Sequence, residues 1–268
     1  MRPLWPIYLL LFSSLIASAQ SLELANSINL PAERSSVVID QFGKIYLIEG
    51  GDLTKLNSQL ENQGSFSDPA WGQISHLSVL NPMNPLLFYR DYGQVRILDN
   101  RLNESQSFNL FDLGLIDPTL VGQSDEESIW VFDQSLNQLL RVDLRSLKIL
   151  NRSLNLSQIL PDSVKYVALA CGFNRNVLRS ESGHYLVFDA FGSLDQTLLR
   201  KGNPVSFTLS ANQILALYPT GLLEIIPLSG GKVQKILLPE RQSLQEVYAW
   251  GDHIYIWAGA KLYHYLLN

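Results

Sequence analysis

Short apolar runs, each bounded by Gly, Asp, Asn or Pro, recur along this chain, and apolar positions almost nowhere hold a 3.6-residue period. The clearest copy is Val37-Val38-Ile39-Asp40, a turn through Gln41-Phe42-Gly43-Lys44, then Ile45-Tyr46-Leu47-Ile48-Glu49 and, past Gly50-Gly51, Leu53 to Asn57. Hairpins of the same kind follow at Leu87 to Asp99, Ile129 to Asp143, Val177 to Asp189, Ile214 to Ile226 and Ile254 to Leu266. Aligned on Val37, Leu87, Ile129, Val177, Ile214 and Ile254, the copies lie 50, 42, 48, 37 and 40 residues apart. That spacing suits one blade of four strands per copy. The nearest helical candidate, Ser146 to Leu160, reads equally as an outer strand with a loop.

The runs Leu86-Leu87-Phe88-Tyr89, Leu215-Ala216-Leu217-Tyr218 and Ile254-Tyr255-Ile256-Trp257 are continuously apolar, as central strands covered on both faces must be. Asp99, Asp143 and Asp189 each end such a strand, where a carboxylate can accept from a backbone N–H two residues on. The last copy stops soon after its third strand, and Leu22 to Leu30 supplies an unassigned apolar run before the first. Pairing the two closes the ring and removes its open edges. The expected fold is therefore all-β: a single β-propeller of about six four-stranded blades over 20–268, closed by an N-terminal strand.

Residues 1–19 read as a signal peptide. An apolar run from Leu4 to Ile16 precedes Ala17-Ser18-Ala19, whose small residues at Ala17 and Ala19 suit cleavage that leaves Gln20 first. The run falls short of the ~20 residues of a spanning helix, and no later stretch is long enough. The mature chain is expected in the periplasm or secreted, without a transmembrane segment.

Composition narrows the function classes. Apolar residues make up 46% of the chain and charged ones 17%, enough for a large core. The net charge of −5 without a basic block argues against nucleic acid. Cys171, the lone cysteine, sits among Ala and Gly as a small buried residue. His76, His184, His253 and His264 form no zinc-binding spacing, and no nucleophile elbow or phosphate loop is present. No catalytic residue, metal or cofactor is assigned, and a non-enzymatic role is expected; a lactonase-like metal hydrolase and a small-ligand or glycan binder are the alternatives. Apolar side chains in loops give the candidate contacts for a protein partner: Phe66, Trp71, Met83, Phe173 and Phe191.

Asp40-Gln41-Phe42-Gly43-Lys44-Ile45-Tyr46 resembles the D-x-x-G-x-[IL]-[YW] signature of NHL-type and sensor-type propellers. The stretch from Asn81 to Asn103 resembles a group of exported proteins from Bacteroidota, over most of the mature chain. That resemblance implies an accessory of the type IX secretion translocon, where a small periplasmic protein plugs the channel, and an outer-membrane translocon component as partner.

Overall fold

A computed structural model describes residues 21–31, 36–124, 127–161 and 164–268. The signal-cleavage residues Ala17, Ala19 and Gln20 lie outside them. Six antiparallel sheets of four strands form the blades of one propeller. Blade 1 is β2 (Ser36–Ile39), β3 (Ile45–Glu49), β4 (Asp52–Leu56) and β5 (Asn62–Ser67). Blade 2 is β6 (His76–Ser78), β7 (Leu86–Tyr89), β8 (Gln94–Leu98) and β9 (Glu104–Asn109). Blade 3 is β10 (Pro118–Gln123), β11 (Ser128–Asp133), β12 (Gln138–Asp143) and β13 (Ile149–Arg152). Blade 4 is β14 (Tyr166–Cys171), β15 (Arg175–Ser180), β16 (Tyr185–Asp189) and β17 (Leu194–Leu198). Blade 5 is β18 (Ser206–Ser210), β19 (Gln213–Leu217), β20 (Leu222–Pro227) and β21 (Gln234–Leu237). Blade 6 is β22 (Leu244–Trp250), β23 (His253–Ala258) and β24 (Lys261–Leu267), completed by β1 (Leu22–Asn29) as its outermost strand.

The expected closure is present. β1 runs antiparallel to β24 from Leu22 opposite Leu267 to Asn29 opposite Lys261. Ser21 and Asn268 exchange backbone hydrogen bonds at 3.2 and 2.9 Å. Blade 6 is also tied to blade 1 by the Trp250 indole, whose Nε1 donates to the Ile39 carbonyl at 3.0 Å.

Apolar side chains pack between blades, which explains the continuous apolar strands. Along β2, Val38 packs towards blade 2 with Leu77, Val79 and Leu87. Val37 and Ile39 pack the other way, with Trp257 and Leu262 of blade 6. Alternate side chains of one strand thus feed two different cores, and both must be apolar. Equivalent cores join blades 2 and 3, 3 and 4, 4 and 5, and 5 and 6.

The fold also explains the uneven repeat spacing. Leu87, Ile129, Val177, Ile214 and Ile254 lie on second strands, whereas Val37 lies on the innermost strand of its blade. Aligned on the first residue of each second strand, Ile45, Leu86, Ser128, Arg175, Gln213 and His253, the blades recur at 41, 42, 47, 38 and 40 residues. The 50-residue step thus reflects a shift of one strand. The segment Ser146 to Leu160 is the outer strand β13 and a loop with one 3-10 turn at Leu156–Gln158. No helix among the described residues is long and apolar enough to cross a membrane.

Candidate functional site

An up-and-down blade puts its turns at alternate ends, so the ring has two rims. First-to-second and third-to-fourth strand turns share one rim; second-to-third turns and the blade-to-blade crossovers share the other. The first is the Asp-turn rim, after its recurring local structure. Asp40 Oδ1 accepts from the N–H groups of Phe42 and Lys44, both at 2.9 Å. Asp99 does the same for Arg101 and Asn103, and Asp189 for Phe191 and Ser193, each at 2.8 Å. Asp143 instead accepts from Ser146, three residues on, at 2.6 Å. In three of these turns the fourth residue has positive φ: Gly43 at 71°, Leu102 at 67° and Gly192 at 85°. Glycine makes that geometry inexpensive.

These turns decide where aromatic side chains point. In Asp40-Gln41-Phe42-Gly43 and Asp189-Ala190-Phe191-Gly192 the third residue is fixed at the tip, and its ring stands in solvent. Phe42 is 68% exposed, Phe191 67%, and Phe173, in the first turn of blade 4, 65%. Met83, in the first turn of blade 2, lies on this rim as well and is exposed. Phe173 and Phe191 cap the same end of the same sheet, flanking the Arg175–Asp189 pair where β15 meets β16. Phe42 is a rim residue that sequence reasoning missed, although the shared D-x-F-G spelling was its signal.

The other two expected contacts lie elsewhere. Phe66 and Trp71 belong to the crossover rim, between blades 1 and 2, and are half-buried. The Arg96 guanidinium lies over both rings, 6.0 Å from the Phe66 centroid and 5.7 Å from that of Trp71. It also pairs with Asp68 at 2.6 Å and with Glu104. Trp71 meets Tyr92 edge-on at 5.6 Å. Phe66 and Trp71 thus form a plug between blades, organised by an arginine from β8 of the next blade.

The innermost strands surround a channel of about 650 Å³. Ser36, Ser75, His76, Thr119 and Ser206 supply polar groups towards the crossover rim, with Glu246 and Arg90. Burial pushes the His76 imidazole down to about 4. Burial also raises the Glu246 carboxyl, which accepts from Ser206 Oγ at 2.8 Å. Cys171 ends β14, its thiol pushed up by burial and packed so closely on Gly122 that a Cβ there would lie 2.5 Å from Sγ. His253 Nδ1 and His264 Nε2 lie 2.8 Å apart on the outer part of blade 6, and the His264 ring stacks on Tyr255. Among the described residues no three His, Cys, Asp or Glu side chains group as metal ligands.

No family model matches this sequence, and no curated protein is similar to it in sequence. Solved structures resemble it in shape. A streptogramin B lyase superposes with a TM-score of 0.62 at 12% identity, covering 93% of this chain and 98% of that one. The Neurospora crassa Pan2 WD40 domain gives 0.60 at 8% identity, covering 91% and 95%. BamB from Moraxella catarrhalis gives 0.50 at 12% identity, covering 86% and 71%. The chain is a six-bladed β-propeller. At these identities the likeness concerns fold alone, since one fold carries many activities.

Proposed function

We propose that this propeller is a non-catalytic interaction module of the cell envelope, docking a protein partner through its Asp-turn rim. The observation that carries the reading is the pair Phe173 and Phe191 at one end of blade 4, with two-thirds of each side chain in solvent. A loop that bonds its own backbone around Asp189 holds Phe191 in place before any partner arrives. Rigid aromatic anchors are the side chains that dominate interface energies, because little further entropy is lost when they are buried. The specific version is an accessory or plug of the type IX secretion translocon. It draws on the Asn81 to Asn103 resemblance and on the signal-peptide pattern of residues 1–19.

Affinity purification from the native envelope in mild detergent tests this. An outer-membrane translocon component should co-purify with the wild-type chain and be lost with Phe173→Ser/Phe191→Ser. Recovery of the propeller alone, or of the same partner with both proteins, contradicts it.

A further inference from the structure

Inside the ring, away from the Asp-turn rim, one buried charge stands without a counter-ion among the described residues. Arg179, near the end of β15, is only 8% exposed and follows the fully buried Val177 and Leu178. Its alternation with Leu178 turns it towards blade 5, where its guanidinium lies 6.0 Å from the Phe207 ring centroid and Nη1 donates to Asn203 Oδ1 at 3.0 Å. Nε is sealed from solvent without a hydrogen-bond partner. Across the ladder stands Tyr185, whose buried hydroxyl is likewise unpartnered. Among the described residues no carboxylate pairs with Arg179. Glu224, the buried acid of blade 5, is taken by Arg200 at 2.9 Å and Lys235 at 3.1 Å. Glu246, the carboxylate that lines the channel, is held by Ser206.

An uncompensated charge in a protein interior is strongly unfavourable, and an arginine fork offers parallel donors that a carboxylate fits in its plane. The Arg179 side chain contributes to the channel wall together with Val205, Phe207 and Leu209 of blade 5 and Leu120 and Val121 of blade 3. The space is of the size that small-molecule sites occupy. We infer that the channel binds a monocarboxylate with an apolar body, its carboxylate on Arg179 and its apolar part against the walls of blades 4 and 5. Among the described lining residues Arg179 is the buried positive charge and Glu246, held by Ser206, the one carboxylate, so a ligand with a single negative charge suits the site better than a phosphate with two. Arg90, exposed beside the channel on the crossover rim, would favour entry of an anion from that side.

Titration calorimetry on the purified protein tests the site with N-acetyl-L-phenylalanine, a stand-in for a peptide C-terminus, and with hexanoate, a free aliphatic acid. Each is compared with its own primary amide, which keeps the shape and removes the charge. Saturable binding of either carboxylate, about tenfold weaker for its amide, supports the site, and the acid that binds identifies the source of the carboxylate. Arg179→Gln should abolish the preference for acid over amide, and Arg179→Lys should retain part of it. Equal binding of acid and amide, no binding of either acid at millimolar concentration, or an acid preference that survives Arg179→Gln would each overturn the inference. The acid–amide comparison is made on the unaltered protein, so its outcome holds however the variants fold.

Discussion

The Tyr46 hydroxyl donates to Asp40 Oδ2 at 3.2 Å, reaching back over a turn that Asp40 Oδ1 already organises. Asp40 is fully buried, and the neighbouring Lys55 ammonium lies 5.4 Å from the Tyr46 ring centroid while donating to the Asn100 carbonyl of blade 2 at 3.0 Å. The first and last residues of the seven-residue signature are thus joined, with Gly43 supplying the left-handed bend between them.

This pairing makes Tyr46→Phe and Asp40→Ala unequal. Tyr46→Phe removes one hydrogen bond to a carboxylate that keeps two backbone donors, and should cost about 1–2 kcal/mol. Asp40→Ala strands the Phe42 and Lys44 N–H groups together with a buried phenol, and should cost about 3 kcal/mol or more. Urea denaturation measures both; equal costs would show that the Asp40 Oδ1 bonds to Phe42 and Lys44 add nothing beyond the Tyr46 bond.

Arg96 carries the second prediction. Arg96→Ala leaves Asp68 and Glu104 without their shared cation and the Phe66 and Trp71 rings without their cover. The expected destabilisation is about 1–2 kcal/mol, because Arg96 is largely covered while both its acids keep access to solvent. Near-wild-type stability for that variant would mean that the plug does not join blades 1 and 2.

Much of this architecture was legible in the sequence, and the exceptions have physical causes. Blade number, closing strand and Asx turns could be read because a strand covered on both faces must be apolar and a tight turn needs Asp and Gly. The phase of blade 1 was not legible, because Val37, Val38 and Ile39, on an innermost strand, feed two cores and look like a second strand. Rim assignment depends on counting every strand, so Phe173 and Trp71 looked comparable although they lie at opposite ends of the ring. Arg179 gave no signal, since a chain shows which residues are charged but not which lack a counter-ion.

Acid should weaken the fold through His76. Its folded pKa, about 4, lies below the ordinary 6.5 because burial disfavours the imidazolium. The unfolded chain therefore takes up a proton first, and stability falls as pH drops from about 6.5 towards 4. The loss is on the order of 1–3 kcal/mol. Denaturation midpoints followed across that window should flatten in His76→Asn relative to wild type; parallel curves would remove His76 as the cause.

Ring closure predicts the behaviour of a chain shortened to begin at Leu30. Without β1 the edge of β24 is unpaired, and an open edge invites intermolecular pairing. Size-exclusion chromatography should show oligomers or precipitation, whereas a monomer of unchanged melting temperature would contradict the closure's importance.

The most direct test of rim docking is photocrosslinking in the native envelope. A benzophenone-bearing phenylalanine analogue is placed at position 191 on the Asp-turn rim or at position 199, an equally exposed leucine on the crossover rim. Rim docking predicts a specific adduct with a translocon component from position 191 and none from position 199. Adducts from 199 alone, or equal yields from both, would contradict it.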